Sequence, residues 1–269
     1  MTGKGSGYGM MSSRNCIILS LALVLCAAGA LFLLDWYGRN ARIYGVTGGI
    51  DTPGVEKRLV ESPLEAYRFW RSRGFRGRTI LFVADKWERL DRDDVLVDPP
   101  PSRTYRLKLF KIADHMERDR LNERNFLFVA AVNGITRRIV AILSPGGFDE
   151  MKEMARTARN SRIARGEIYM THQGFPRWYT TADAFKGEQE PVLLYVDASY
   201  FRDIEPEELF RYLTAAKLRT DSVILCRGRK SDRSTEQESG RLVRFARLLG
   251  ITVDTTASAQ PTPVSKTQP

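Results

Sequence analysis

Cysteine and histidine are scarce in this chain: three Cys and two His among 269 residues. A disulfide-stapled scaffold is excluded, because Cys16 and Cys26 fall in an apolar run and Cys226 is left with no internal partner. Also missing are a GxxxxGK[ST] phosphate loop, a GxSxG elbow, a CxxC pair and any internal repeat, which removes the enzyme classes built on those turns. Charge of one sign is not concentrated either. Of 42 basic residues five, and of 32 acidic residues one, lie outside residues 43–254, so that region has an excess of only six. Its acids and bases alternate along most of the chain, apart from short clusters at Arg71, Arg73, Arg76 and Arg78 and at Arg227, Arg229, Lys230 and Arg233. A nucleic-acid footprint needs basic residues gathered on one face, so nucleic acid is not the expected partner.

One long uncharged run is present. Cys16 opens it and Leu34 closes it, 19 residues (16–34) dominated by Leu, Ala, Ile and Val. As a helix it spans roughly 28 Å, against a hydrocarbon core of about 30 Å. Trp36 and Tyr37 follow at headgroup level, which favours a retained single-pass anchor in the lipid bilayer. A cleaved signal peptide ending near Ala28 and Ala30 is the competing reading, and a lipoprotein site at Cys26 is disfavoured by the preceding Leu25. Lys4 and Arg14 before the run are balanced by Arg39 and Arg42 after it. The free amino terminus and Asp35 tip the expectation toward an extracytoplasmic soluble domain.

The organisation expected is a tail (1–15), the anchor (16–34), a glycine-interrupted stalk (35–61), a folded domain (62–254) and a disordered Thr/Ser/Gln/Pro tail (255–269). Ser62, Pro63 and Glu65 start a helix reaching Arg73. Short apolar runs at 79–84, 138–143, 167–170, 191–196 and 222–226 read as strands. Helices are expected at 106–120, 123–133, 148–165, from Pro206, and after a Ser234/Gln237 capping box up to Gly250. Alternation at this spacing implies an α/β/α three-layer domain with a mainly parallel sheet.

In such sheets the ligand crevice lies beyond the carboxyl ends of the strands. The residues there are Asp85, Ser144, Thr171 with His172, Asp197 with Ser199, and Cys226. Asp85, His172 and Asp197 have the chemistry to hold a divalent metal or to move protons. The other histidine, His115, reads as a surface residue in a charged helical stretch. The acidic stretch from Asp85 to Asp98 lacks the glycine a calcium loop requires and reads as solvated.

The segment Pro191-Val-Leu-Leu-Tyr-Val-Asp197-Ala-Ser199-Tyr-Phe201, followed by the Pro206 helix and Asp221-Ser-Val-Ile-Leu-Cys226, resembles the later half of arginase and deacetylase-like α/β proteins. In that group an Asp-x-Asp strand end binds metal. Here Asp197 matches the first carboxylate, but Ser199 replaces the second, and no histidine accompanies Asp85-Lys86-Trp87-Glu88. The resemblance therefore implies a lost metal site, no cofactor, and a noncatalytic binding or scaffolding role. A metal-dependent hydrolase at the cell envelope is the alternative.

Overall fold

The computed structural model describes residues 21–32, 46–85, 87, 121–172, 175–228 and 234–252. The chain divides into two compact units, Met1–Ile43 and Tyr44–Pro269. In the first, residues 21–32 are helical, with Leu23, Leu25, Leu31 and Phe32 exposed. The remainder of the expected anchor, with Cys16, Leu34, Trp36 and Tyr37, lies outside the described residues. Among the described residues no helix is long and apolar enough to cross a membrane. The expected helix at 106–120, His115 and the tail 255–269 also lie outside them.

The second unit is an α/β domain. Its strands are β1 (Gly48–Gly49), β2 (Glu56–Val60), β3 (Arg78–Ala84), β4 (Thr136–Leu143), β5 (Ser161–Ala164), β6 (Glu167–His172), β7 (Phe175–Thr180), β8 (Val192–Asp197) and β9 (Arg219–Cys226). Its helices are α1 (Pro63–Ser72), α2 (Phe126–Val132), α3 (Pro145–Thr157), α4 (Pro206–Ala215) and α5 (Glu236–Leu248), with a 3₁₀ turn at Ala198–Arg202. Among the described residues six strands run parallel in the order β2-β9-β8-β3-β4-β7; β6 and β5 continue antiparallel beyond β7, and β1 pairs antiparallel with the start of β9.

Central strands are apolar throughout because both faces are covered. Alternate residues feed two cores. Ile80, Phe82, Ala84, Leu193 and Tyr195 pack with α1, α2 and α3, whereas Leu81, Val83, Leu194, Val196 and Leu225 pack with α4 and α5. The α1 start is as expected: Ser62 accepts the Leu64 N–H and Pro63 occupies the first turn, placing Ala66, Tyr67, Phe69 and Trp70 inside. In α2, Phe126 through Ala131 are all buried.

Three sequence expectations are corrected. The stretch assigned to a stalk (35–61) contains β2, which pairs with β9 from Glu56 opposite Ser222 to Val60 opposite Cys226. The helix expected over 148–165 stops at Thr157, and the chain then forms the β5–β6 hairpin. Arg165 (φ 51°) and Gly166 (φ 78°) both take the left-handed conformation a two-residue primed turn requires. The last helix is capped one residue later, by a capping box of Thr235 with Glu238.

Candidate functional site

The parallel sheet reverses its winding between β3 and β8. From β3 the chain moves outward through β4 to β7; it then returns to the other side of β3 as β8 and continues to β9. Such a switch point opens a crevice outside the carboxyl ends of the strands, the general ligand position in open α/β sheets. Asp85 follows β3 on one side, and Asp197 with Ser199 ends β8 on the other.

This crevice is occupied by the protein's own side chains. Asp85 is 5% exposed, and both of its carboxylate oxygens are engaged. The Ser144 hydroxyl donates to Oδ1 at 2.6 Å, and Arg202 Nη1 donates to Oδ2 at 2.7 Å. The same guanidinium donates through Nε to Glu238 Oε1 at 3.1 Å, while Glu238 Oε2 accepts the backbone N–H of Thr235 at 2.7 Å. Glu238 is itself 4% exposed. Arg202 thus joins two buried carboxylates from β3 and α5, and the Asp85 charge beside it raises its pKa further above the ordinary guanidinium range. The turn carrying Arg202 is pinned from α5, where Arg241 Nη1 donates to the carbonyls of Phe201 and Arg202 at 2.8 Å each.

Local sequence explains how these groups meet. Ser144 ends β4 and caps α3, accepting the Gly147 N–H at 3.1 Å. Gly147 lets the first turn of α3 ride directly against the carbonyl of Asp85. Ser199 Oγ accepts the Asp85 N–H at 3.4 Å, so the position where the resemblance expects a carboxylate holds the β3 backbone instead.

Asp197 lies on the other side of the switch, within the α1–α3 layer. Its oxygens accept the Ser199 N–H at 3.0 Å and the Tyr195 hydroxyl at 3.2 Å. Burial raises its pKa; hydrogen bonds from Ser199 and Tyr195 oppose the rise, and the Glu238 charge adds to it. Tyr195, stacked on Phe82 with centroids 5.3 Å apart, is also raised by burial. Cys226 at the end of β9 is pushed up to about 12 by burial and the Asp197 charge. A thiol so disposed is inert rather than nucleophilic.

Because folding raises the Asp197 pKa, the native state holds that proton more tightly than the unfolded chain. The stabilisation is complete below the ordinary aspartate range, near 3.9, and is lost as pH rises through the native value. Asp197→Asn keeps an oxygen acceptor for the Ser199 N–H and turns the other bond round, its NH2 donating to the Tyr195 hydroxyl oxygen; it is expected to be at least as stable as wild type at pH 7.5, with wild type gaining on it as pH falls toward 4. Urea midpoints across that range check the sign.

Two sequence-derived placements change. Asp85, Ser144, Asp197, Ser199 and Cys226 do share one rim. His172 does not join them: β6 runs antiparallel, and His172 pairs with Phe175 at the beginning of β7, which is the opposite end of the sheet together with Thr171. The trio Asp85, His172 and Asp197 therefore does not converge. Among the described residues, no group of three or more His, Cys, Asp or Glu is placed to hold a metal ion. The donor set does not fit a divalent cation either, since the oxygens of Asp85 are committed to a hydroxyl and a guanidinium, and that guanidinium would repel the ion. Arg202, Glu238 and Tyr195 were not expected from the sequence. Only Glu238 left a trace, as the third helical residue after Thr235.

Beyond the ends of β2 and β9 lies a cavity of about 600 Å³ lined by Glu61, Ser62, Glu65, Glu123, Arg227 and Ser234 among others. No protein-family model matches the chain, and no curated protein matches it either.

Proposed function

We propose that this chain is a membrane-tethered α/β domain that binds or scaffolds at the cell envelope rather than catalysing a reaction, with a crevice of arginase/deacetylase-like ancestry closed by its own residues. One observation carries the reading: Arg202 spans the switch-point crevice from buried Asp85 to buried Glu238 at hydrogen-bond distance. The apolar run at 16–34 supports the tether, and the exposure of its apolar residues within 21–32 is consistent with a lipid-facing helix. An extracytoplasmic position for the domain follows the charge balance around that run.

The competing reading is a metal-dependent hydrolase using Asp85 and Asp197, and elemental analysis separates the two. The full chain, purified after growth with added zinc and manganese, is expected to carry far less than one ion per molecule, with no change in Asp197→Ala. A stoichiometric ion lost in Asp197→Ala would overturn the noncatalytic reading.

A further inference from the structure

Among the described residues, strands β5 to β7 carry their helical cover on one side. Ile168, Met170 and Tyr179 face the core that contains Met151 and Ala155 of α3. Tyr169 and Trp178, paired in register, turn to the opposite face and are partly exposed. There they border a cavity of about 780 Å³ lined also by Arg159, Arg162, Glu167 and Thr171.

The floor of this cavity is made of side chains in mutual contact. Tyr169 meets Trp178 edge-on at 5.2 Å, and the Arg138 guanidinium lies over Trp178 at 4.2 Å while tied to Glu188 at 3.1 Å. The charge of Arg138 is therefore satisfied within the fold. Arg162 within β5, Arg159 two residues before it and Arg165 in the turn just after it differ: all three are exposed, and none makes an ion pair with a described residue. Strand β5 is the last in the sheet, so among the described residues its outer backbone edge pairs with nothing.

We propose that this edge is a docking site for an extended acidic peptide segment of a partner protein, which adds to β5 as a further strand. An open edge offers main-chain hydrogen bonds to any extended chain that lies beside it about 4.8 Å away. Charge selects among candidates. Arginines along an edge deter pairing with a second copy of the same strand, the usual protection against aggregation, yet they attract a strand with carboxylates at alternate positions. Arg162 stands in register with Tyr169 and Trp178, so the carboxylates of such a strand that turn to that face meet its guanidinium, and the side chains between them turn to the other face. The site lies four strands from β3 and stands independently of the closed crevice.

The test uses the full chain in detergent and a fluorescein-labelled decapeptide alternating glutamate and valine. Its glutamine counterpart, an oligothymidylate and phosphatidylserine vesicles are measured alongside. The acidic peptide is expected to bind at low salt, to weaken at least about tenfold in the double variant Arg159→Glu with Arg162→Glu, and to slow amide exchange at Ser161–Ala164. Arg156→Glu, which alters the arginine paired with Glu153 on α3, is the control for a like substitution away from the edge and should change binding little. Far-UV circular dichroism verifies that the variants fold. No binding, equal binding by the double variant, unchanged exchange in β5, or preference for oligothymidylate or vesicles would each overturn the proposal.

Discussion

Gly147→Ala is expected to unfold the domain or to lower its stability by about 3 kcal/mol or more, the range reserved for steric failure inside a packed core. A Cβ at this position would lie 1.8 Å from the Asp85 carbonyl oxygen and 3.0 Å from its carbon. These are backbone atoms of a strand end, and β3 is held on both sides by β4 and β8, so they have little room to retreat. The neighbouring glycine is the internal control. A Cβ on Gly146 meets nothing within 4 Å, and Gly146→Ala in the same helix should be neutral or stabilising by up to about 1 kcal/mol. Urea denaturation of the two variants should therefore diverge sharply. Similar midpoints would mean that α3 does not rest on Asp85.

Arg202→Met is the second large effect. The arginine is half exposed, which weakens the pair from its own side, but its partners Asp85 and Glu238 are almost fully buried. Removing the guanidinium leaves two buried carboxylates without their cation, and the loss should be about 2–4 kcal/mol. Arg202→Lys should not restore it. The fork reaches Asp85 through Nη1 and Glu238 through Nε, and a single ammonium cannot reproduce that pair of directions. Chemical denaturation of the methionine and lysine variants reads both outcomes. A lysine variant as stable as wild type would show that the site needs only a nearby positive charge.

Much of the layered fold was legible because the central strands announce themselves. Residues 79–84 and 191–196 are apolar runs too short for helices, and burial on both faces is what allows that composition. Strand β2 was hidden for the opposite reason. At the edge of the sheet it pairs with β9 alone and keeps Glu56, Lys57 and Arg58 at the surface, so Glu-Lys-Arg-Leu-Val reads as polar linker. The β5–β6 hairpin was obscured because arginines and apolar residues at 156–165 continue the helical spacing of α3. Only the Arg165-Gly166 pair marks the turn.

The strand-end rim was partly legible as well. Once the strands are known to be parallel, Asp85, Ser144, Asp197, Ser199 and Cys226 fall together without further information. What no local pattern contains is strand order. That order brings β8 beside β3 and so sets Arg202 against Asp85, 117 positions away in the chain. It also reverses β6 and sends His172 to the far end. A lone arginine five residues after an aspartate carries no signature of its role, since its meaning comes from the two carboxylates that the fold delivers to it.

An internal ion pair closes the switch-point crevice, and a double-mutant cycle on Arg202→Met and Asp85→Asn measures that pair directly. Coupling of about 1.5 kcal/mol or more between the two substitutions, from urea unfolding of the four proteins, is the expected result. Additive losses, with coupling indistinguishable from zero, would contradict it and leave the crevice open to a ligand.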